Sequence, residues 1–168
     1  MNAGAYGSQI SDVLYEVTYM DEKEEIKTLK NKDCSFGYRK SIFTINPNYV
    51  ILSAKFKLER GNIDEIENKM KENSLARKAK QPLEYPNFGS VFKRPEGYFV
   101  GKLVDDAGLR GYKIGGAQVS TKHTGFIVNV DNATCKDVLD LIGYVQTTVY
   151  NKFNVKLTPE VIIIGGDK

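Results

Sequence analysis

The chain has 168 residues, room for one domain or two small ones. Hydrophobic residues make up 41% and charged residues 27%, a balance that excludes a disordered polymer, and no apolar run approaches the ~20 residues of a membrane span. The net charge of +3 is too small to point to nucleic acid as a partner.

In chain order, Val13–Tyr19 (VLYEVTY) alternates in polarity and is rich in β-branched and aromatic residues, which predicts a strand. The polar MDEKEE then turns the chain, and Ile26–Leu29 returns as the second arm of a hairpin. Val50–Leu58 (VILSAKFKL) alternates again. Its Val50, Leu52, Ala54, Phe56 and Leu58 face is expected to meet a core, leaving Ile51, Ser53, Lys55 and Lys57 on the other. A helix is predicted from Asn62 to Lys80, with Asn62 and Glu65 at capping-box spacing and Ile63, Ile66 and Met70 as a narrow apolar stripe. It must stop before Gln81-Pro82, because proline disfavours helical geometry in the residue before it. Pro82, Pro86 and Gly89 then predict an irregular loop running into Ser90.

Tyr98–Ala107 reads as a helix ended by Gly108, and Gln118–Ser120 and Phe126–Val130 read as short strands. From Thr134 onward, Val138, Leu141, Ile142, Val145, Val149 and Phe153 recur at steps of three and four, the signature of an amphipathic helix. Thr134 with Asp137 supplies its N-terminal cap. Val161–Ile164 (VIII) is expected to close the chain as a buried strand. Strands and helices mix without βαβ alternation, so the class is α+β.

The chemistry is sparse. Cys34 and Cys135 stand far apart with no CxxC pair and no histidine beside them. That excludes a disulfide scaffold or a recognisable metal site and suits a reducing cytoplasm. The opening MNAGAYGSQI has neither the basic nor the apolar segment of an export signal. There is no GxGxxG and no Walker loop. The glycines of NAGAYG suit either a tight turn or the close approach of a flat ligand, and Gly115-Gly116 and Gly165-Gly166 read as turns or a frayed end. His123, the one histidine, reads as a hydrogen-bonded structural residue. Arg77, Lys78, Lys80, Lys93 and Arg94 against only Glu84 give a local charge of +4, either a solvated face or the seat of a small anionic ligand. Ser90, followed by Lys93 and Arg94, could donate a proton to a developing carbanion, because the cations stabilise its alkoxide. Arg39 could clamp a carboxylate, and Glu160 precedes the apolar VIII run.

The strings NAGAYGSQISDVL, CSFGYRKSIF, KQPLEYPNFGSVFKRPEGYFVGKLVDDAGLRGYKIGGAQVSTKHTGFIVN, NATCKDVLDLI and FNVKLTPEVIIIG resemble the MurB family, from Asn2 to Gly165. Its members are the UDP-N-acetylenolpyruvoylglucosamine reductases of peptidoglycan synthesis. The resemblance implies a cytoplasmic enzyme in which NADPH reduces bound FAD. The flavin then passes hydride to the enolpyruvyl group of UDP-N-acetylglucosamine enolpyruvate while a protein acid protonates the neighbouring carbon. On this resemblance Ser90 is the proton donor, Arg39 stabilises the enol intermediate against the flavin, and Glu160 assists protonation. Lys80, Lys93 and Arg94 serve the diphosphate and sugar, and Gly4, Ala5 and Tyr6 form part of the flavin-facing wall.

The family's glycine-rich GGGSN-type loop and GIPGTVGG-type turn have no counterpart in this sequence. The chain is therefore expected to begin inside the flavin domain, with residues 1–58 as the end of the FAD-binding domain and 59–168 as the substrate-binding domain. A chain of that kind could also be a catalytically silent UDP-sugar-binding module. Strands left without neighbours would favour self-association or a partner-supplied strand. Asn87-Phe88 replace a small pair before Gly-Ser, and Ile162 stands where a basic residue is common. The compact segment between Arg39 and Ser90 is similar to the shorter, second type of the family.

Overall fold

Helices and strands interleave along residues 1–165, the part that the computed structural model describes, and the arrangement is α+β. The residues gather into two units, one over Met1–Asn73 and a second beginning at Ser74.

In the first unit, β1 (Gly4–Ala5) and β2 (Ser8–Gln9) form a small hairpin. Its two-residue loop has positive φ at both Tyr6 (53°) and Gly7 (83°), the geometry that matches strand twist in tight hairpins. Gly4 lets the two strands approach closely, since a Cβ there would sit 3.1 Å from the Gln9 Cβ, tighter than most such contacts. One helical turn, α1 (Ile10–Val13), leads into β3 (Leu14–Met20). With β4 (Ile26–Lys30) and β5 (Val50–Phe56) it makes an antiparallel sheet of order β4-β3-β5. An irregularity between Leu14 and Glu16 shifts the alternation, so Leu14 and Val17 are both buried although three residues apart. They pack with Cys34, Ile10, Leu29, Phe36 and Phe43. Tyr19 meets Phe43 edge-on at 5.5 Å. Burial, with Asp33 nearby, pushes the Cys34 thiol up. The polar turn between β3 and β4 closes on Asp21, whose carboxylate accepts from the backbone N–H of Lys23 (2.9 Å) and Glu25 (3.0 Å) and pairs with Lys27. A short helix, α2 (Ile42–Ile45), precedes β5.

Two expectations fail in this unit. Both faces of β5 are exposed, including Val50, Leu52 and Phe56, because no described element covers its apolar face. The predicted long helix is present as α3 (Ile63–Lys80), which runs across the boundary between the units, and Asn62 Oδ1 caps it by accepting from Asp64 N (2.9 Å) and Glu65 N (3.2 Å). Its Ile63, Ile66 and Met70 stripe, however, is exposed: three apolar residues on a helix otherwise dominated by charge bury nothing.

The second unit is an antiparallel sheet of order β6-β9-β8-β7, built from β6 (Asn87–Ser90), β7 (Lys113–Ile114), β8 (Ala117–Val119) and β9 (Phe126–Asn129). The stretch before Ser90 is thus a strand from Asn87 rather than loop throughout. Helices α4 (Val100–Asp106) and α5 (Cys135–Phe153) pack with it around one core. Leu141, Ile142, Val145 and Val149 of α5 are buried against Leu103, Val104, Ala117, Val119 and Ile127, as the helical period predicts. Each such side chain removed from water stabilises by roughly 1.5–3 kcal/mol. Thr134 and Asp137 exchange hydrogen bonds across the first turn of α5 (2.9 and 3.1 Å), and this holds the Asp137 carboxyl below the usual range. The turn at Gly115-Gly116 joins β7 to β8 beneath the same segment. A Cβ on Gly116 would fall 2.0 Å from the Asp131 carbonyl oxygen, so only glycine fits.

The chain end departs from expectation. Val161 packs partly against the core, but Ile162 is 85% exposed and Ile164 91%, and Val161–Ile164 is not a strand. Pairing occurs just before it, at a bridge between Phe92 and Pro159. A short apolar run records a capacity for burial, and here Val155 and Leu157 are the buried residues of this end of the chain, with Val161 packed partly against the same core. Gly165 has positive φ, and Gly166 lies outside the described residues. Among the described residues no helix is long and apolar enough to cross a membrane.

Glu16 sits between Lys30 and Lys55, 2.5 Å from each, and so links the central strand to both neighbours. The two lysines lower its pKa from 4.5 to about 2. A carboxyl depressed in this way stabilises the fold above its unfolded value, and that contribution disappears as pH falls through the folded value. Urea unfolding of Glu16→Gln against wild type is therefore expected to show a deficit at pH 7 that closes between pH 4.5 and about 2. A deficit independent of pH would place the effect elsewhere.

Candidate functional site

Ser90 is the last residue of β6, paired with Phe126 of β9. Between this pair and the Asn87–Val128 pair the register shifts, and Gly89 takes a φ of 84°. Asn87 braces the bulge: its Nδ2 donates to the carbonyls of Pro82 (3.1 Å) and Tyr85 (2.9 Å), and its Oδ1 accepts from Gly89 N (3.0 Å). The next two residues, Val91 and Phe92, are anchored in the core, so exposed Ser90 stands on a fixed rim.

A second segment runs antiparallel along that rim. Lys93 N donates to the Thr158 carbonyl and Glu160 N to the Val91 carbonyl, both at 2.8 Å, flanking the Phe92–Pro159 bridge. Ser90, Lys93 and Glu160, spread over seventy positions of sequence, are thereby brought to one edge. Arg94 follows, its Nε donating to the Tyr98 carbonyl (3.2 Å) and its guanidinium 4.0 Å from the Phe99 ring centre. Lys80 ends α3 and is exposed. In the same region Lys122 Nζ donates to the Lys78 carbonyl (2.8 Å) and pairs with Glu84 (3.3 Å). The Glu84 carboxyl is held below its ordinary range by its own backbone N–H and by Lys122.

The first unit carries the other expected residues. A cleft of about 500 Å³ is lined by Asn2, Gly4, Ala5, Gly7, Gln9, Tyr38 and Arg39 among others. Tyr6 stands at the hairpin tip, half exposed. Arg39 is half-buried in a two-residue turn closed by two backbone hydrogen bonds between Gly37 and Lys40 (3.1 and 3.2 Å), and its own φ is 52°. A non-glycine residue held at positive φ is uncommon and fixes where the side chain emerges. Asn2 is buried and fully engaged, donating to Gln9 Oε1 (2.9 Å) and Ser11 Oγ (3.2 Å) and accepting from Ser11 N (2.9 Å). The NAGAYG stretch is thus a tight turn, and its first strand is also a wall of the cleft. Asn87, Asn2 and Lys122 escape a reading of the sequence, because each works by reaching backbone or side chains that only the fold brings near.

The second unit is an α+β domain in which the paired segments 91–93 and 158–160 carry Lys93 and Glu160, with Ser90 and Arg94 next to them in sequence. A family model described as "UDP-N-acetylenolpyruvoylglucosamine reductase, C-terminal domain" matches residues 81–164, half of the chain. The chain belongs to this family, MurB. It is 54% identical over 167 residues to the UDP-N-acetylenolpyruvoylglucosamine reductase of Shouchella clausii, with 99% of this chain and 53% of the relative covered. It is 56% identical to UDP-N-acetylenolpyruvoylglucosamine reductase 2 of Bacillus cereus, covering 100% of this chain and 55% of the relative. The crystal structure of the reductase from Thermus caldophilus matches with a TM-score of 0.79 at 32% identity, over 94% of this chain and 56% of that one. The chain spans about half the length of the curated relatives it matches.

Removing the brace in Asn87→Ala is expected to destabilise the second unit by about 1–3 kcal/mol, the range for side-chain hydrogen bonds lost from a partly buried site. Amide exchange at Gly89 should rise in parallel. Protection at Gly89 equal to wild type would remove Asn87 from this role.

Proposed function

We propose that this chain carries the substrate-handling part of the FAD-dependent, NADPH-driven reduction of UDP-N-acetylglucosamine enolpyruvate to UDP-N-acetylmuramate. The observation that carries the reading is the pairing of Val91–Lys93 with Thr158–Glu160, which gives a hydroxyl, a carboxylate and a lysine one common edge. Ser90 donates a proton to the carbanion that forms beside the substrate carboxylate. An alcohol is a poor acid in water, and neighbouring cations lower the cost of its alkoxide. Glu160 assists that proton's delivery. Lys80, Lys93 and Arg94 bind the diphosphate and sugar, with Arg94 able to make the bidentate contacts that phosphate oxygens favour.

In the first unit, Gly4 and Ala5 leave the cleft wall flat, and Arg39 brings a positive charge to it. These residues fit the edge of a flavin ring, and a volume of about 500 Å³ suits one end of that cofactor. Gly4, Ala5, Tyr6 and Arg39 would hold FAD, which would supply there the hydride that NADPH provides; Arg39 would stabilise negative charge on the substrate, and Tyr6 would extend the wall at the hairpin tip. The division of the chain into the end of a flavin domain (1–58) and a substrate domain (59–168), and a cytoplasmic setting, belong to the same proposal.

A second reading, UDP-sugar binding without reduction, is favoured by the half-length match to the relatives. The two separate in one experiment. Titration of the full chain with FAD, followed in the visible spectrum, is expected to saturate at one equivalent. Ser90→Ala is expected to bind FAD equally while losing at least about 100-fold in turnover, the usual worth of a positioned acid. Full turnover in Ser90→Ala contradicts the acid role, and substrate binding without any FAD binding selects the second reading.

A further inference from the structure

The segment from Ser120 to Gly125 joins β8 to β9 and leads into Phe126, the residue paired with Ser90. Buried Ser120 accepts from the backbone N–H of Lys122 and His123, each at 3.1 Å, and Thr124 Oγ1 donates to the Gly101 carbonyl on α4 (2.6 Å). Within this turn the His123 Nδ1 accepts from Gly125 N at 3.1 Å. That bond requires a neutral imidazole with its proton on Nε2. The Gly125 carbonyl then accepts from Val91 N (3.1 Å), the N–H of the Ser90–Val91 peptide, and the Val91 carbonyl accepts from Glu160 N (2.8 Å). The His123 ring also meets the ring of Phe126, the residue paired with Ser90, edge-on at 4.9 Å. Gly125 lies so close under the imidazole that a Cβ would approach its Cε1 to 3.0 Å.

We propose that His123 is a positioning residue for the Ser90–Glu160 edge, acting through the three hydrogen bonds His123–Gly125, Gly125–Val91 and Val91–Glu160. The proposal rests on the assignment of Ser90 and Glu160 to the substrate site. A side chain without an acceptor at position 123 would leave Gly125 N without that partner. The charged groups sharing the cleft are Lys102, Asp105 and Asp106 from α4, with Arg110 and Lys122 from the flanking loops. They are already matched: Lys102 with Asp106 (2.8 Å), Arg110 with Asp105 (2.7 Å) and Lys122 with Glu84 (3.3 Å).

NMR of the ¹⁵N-labelled full chain tests this. In His123→Ala the Gly125, Val91 and Glu160 amides are expected to shift together, and Gly125 exchange, corrected for its intrinsic rate, should rise about 10-fold, the loss expected for one hydrogen bond. His123→Asn keeps an oxygen that can accept from an N–H two residues on, so it should restore the wild-type amide positions and the Gly125 protection. Val91 and Glu160 amides that stay at their wild-type positions in His123→Ala overturn the proposal, as does a His123→Asn spectrum that matches His123→Ala. Because these readouts need neither flavin nor turnover, a coupled shift in a chain that binds no UDP-sugar would sink the site assignment and leave the coupling standing.

Discussion

Two backbone hydrogen bonds and one bridge, between Val91–Lys93 and Thr158–Glu160, are the constraint on which the candidate site depends. Neither segment is regular enough to specify that pairing alone, and a backbone hydrogen bond contributes only about 0.5–1.5 kcal/mol net. The register is enforced by what lies beneath it. Val91 and Phe92 from one segment and Val155 and Leu157 from the other are all buried in the core that α5 closes. Burial of four such side chains, at roughly 1.5–3 kcal/mol each, outweighs the hydrogen bonds and decides which residues emerge above. The candidate edge is thus the rim of a core, which anchors it from below.

The same logic of position runs through the first unit on a smaller scale. Asn2 ties the start of the chain to Gln9 and Ser11, and the Gly37–Lys40 turn fixes Arg39, so one cleft receives its lining from residues far apart in sequence. Glu16 holds three strands together by charge where apolar burial is thin. The exposed faces of β5 and of the Ile63–Met70 stripe are the counterpart of that thinness. Apolar residues in a strand or helix record a tendency to be covered, and what covers them is a property of the surrounding chain.

Legibility in the sequence followed the locality of the cause. The helix from Thr134 could be read because cap, period and length agree within twenty residues, and the Gly115-Gly116 turn because glycine is required there. The β6 strand was hidden because Pro86 immediately precedes it and Gly89 interrupts it, and its bulge is held by an asparagine side chain. The VIII run misled because an apolar tetrapeptide carries no period. Ser90, Lys93, Arg94, Arg39 and Glu160 stood out as residue types in a setting, and through resemblance as members of a family. The roles of Asn87 and His123 have no such signal, since each is defined by the backbone groups its side chain reaches.

The central claim is that the edge bearing Ser90, Lys93, Arg94 and Glu160 holds the UDP-sugar. Calorimetric titration of the full chain with UDP-N-acetylglucosamine enolpyruvate, repeated with Lys93→Ala, addresses it without any flavin. Saturable one-to-one binding, weakened about 10-fold or more in the variant as expected for a lost charge-assisted contact, is the predicted result. Absence of binding, or equal affinity in the two proteins, would contradict the account.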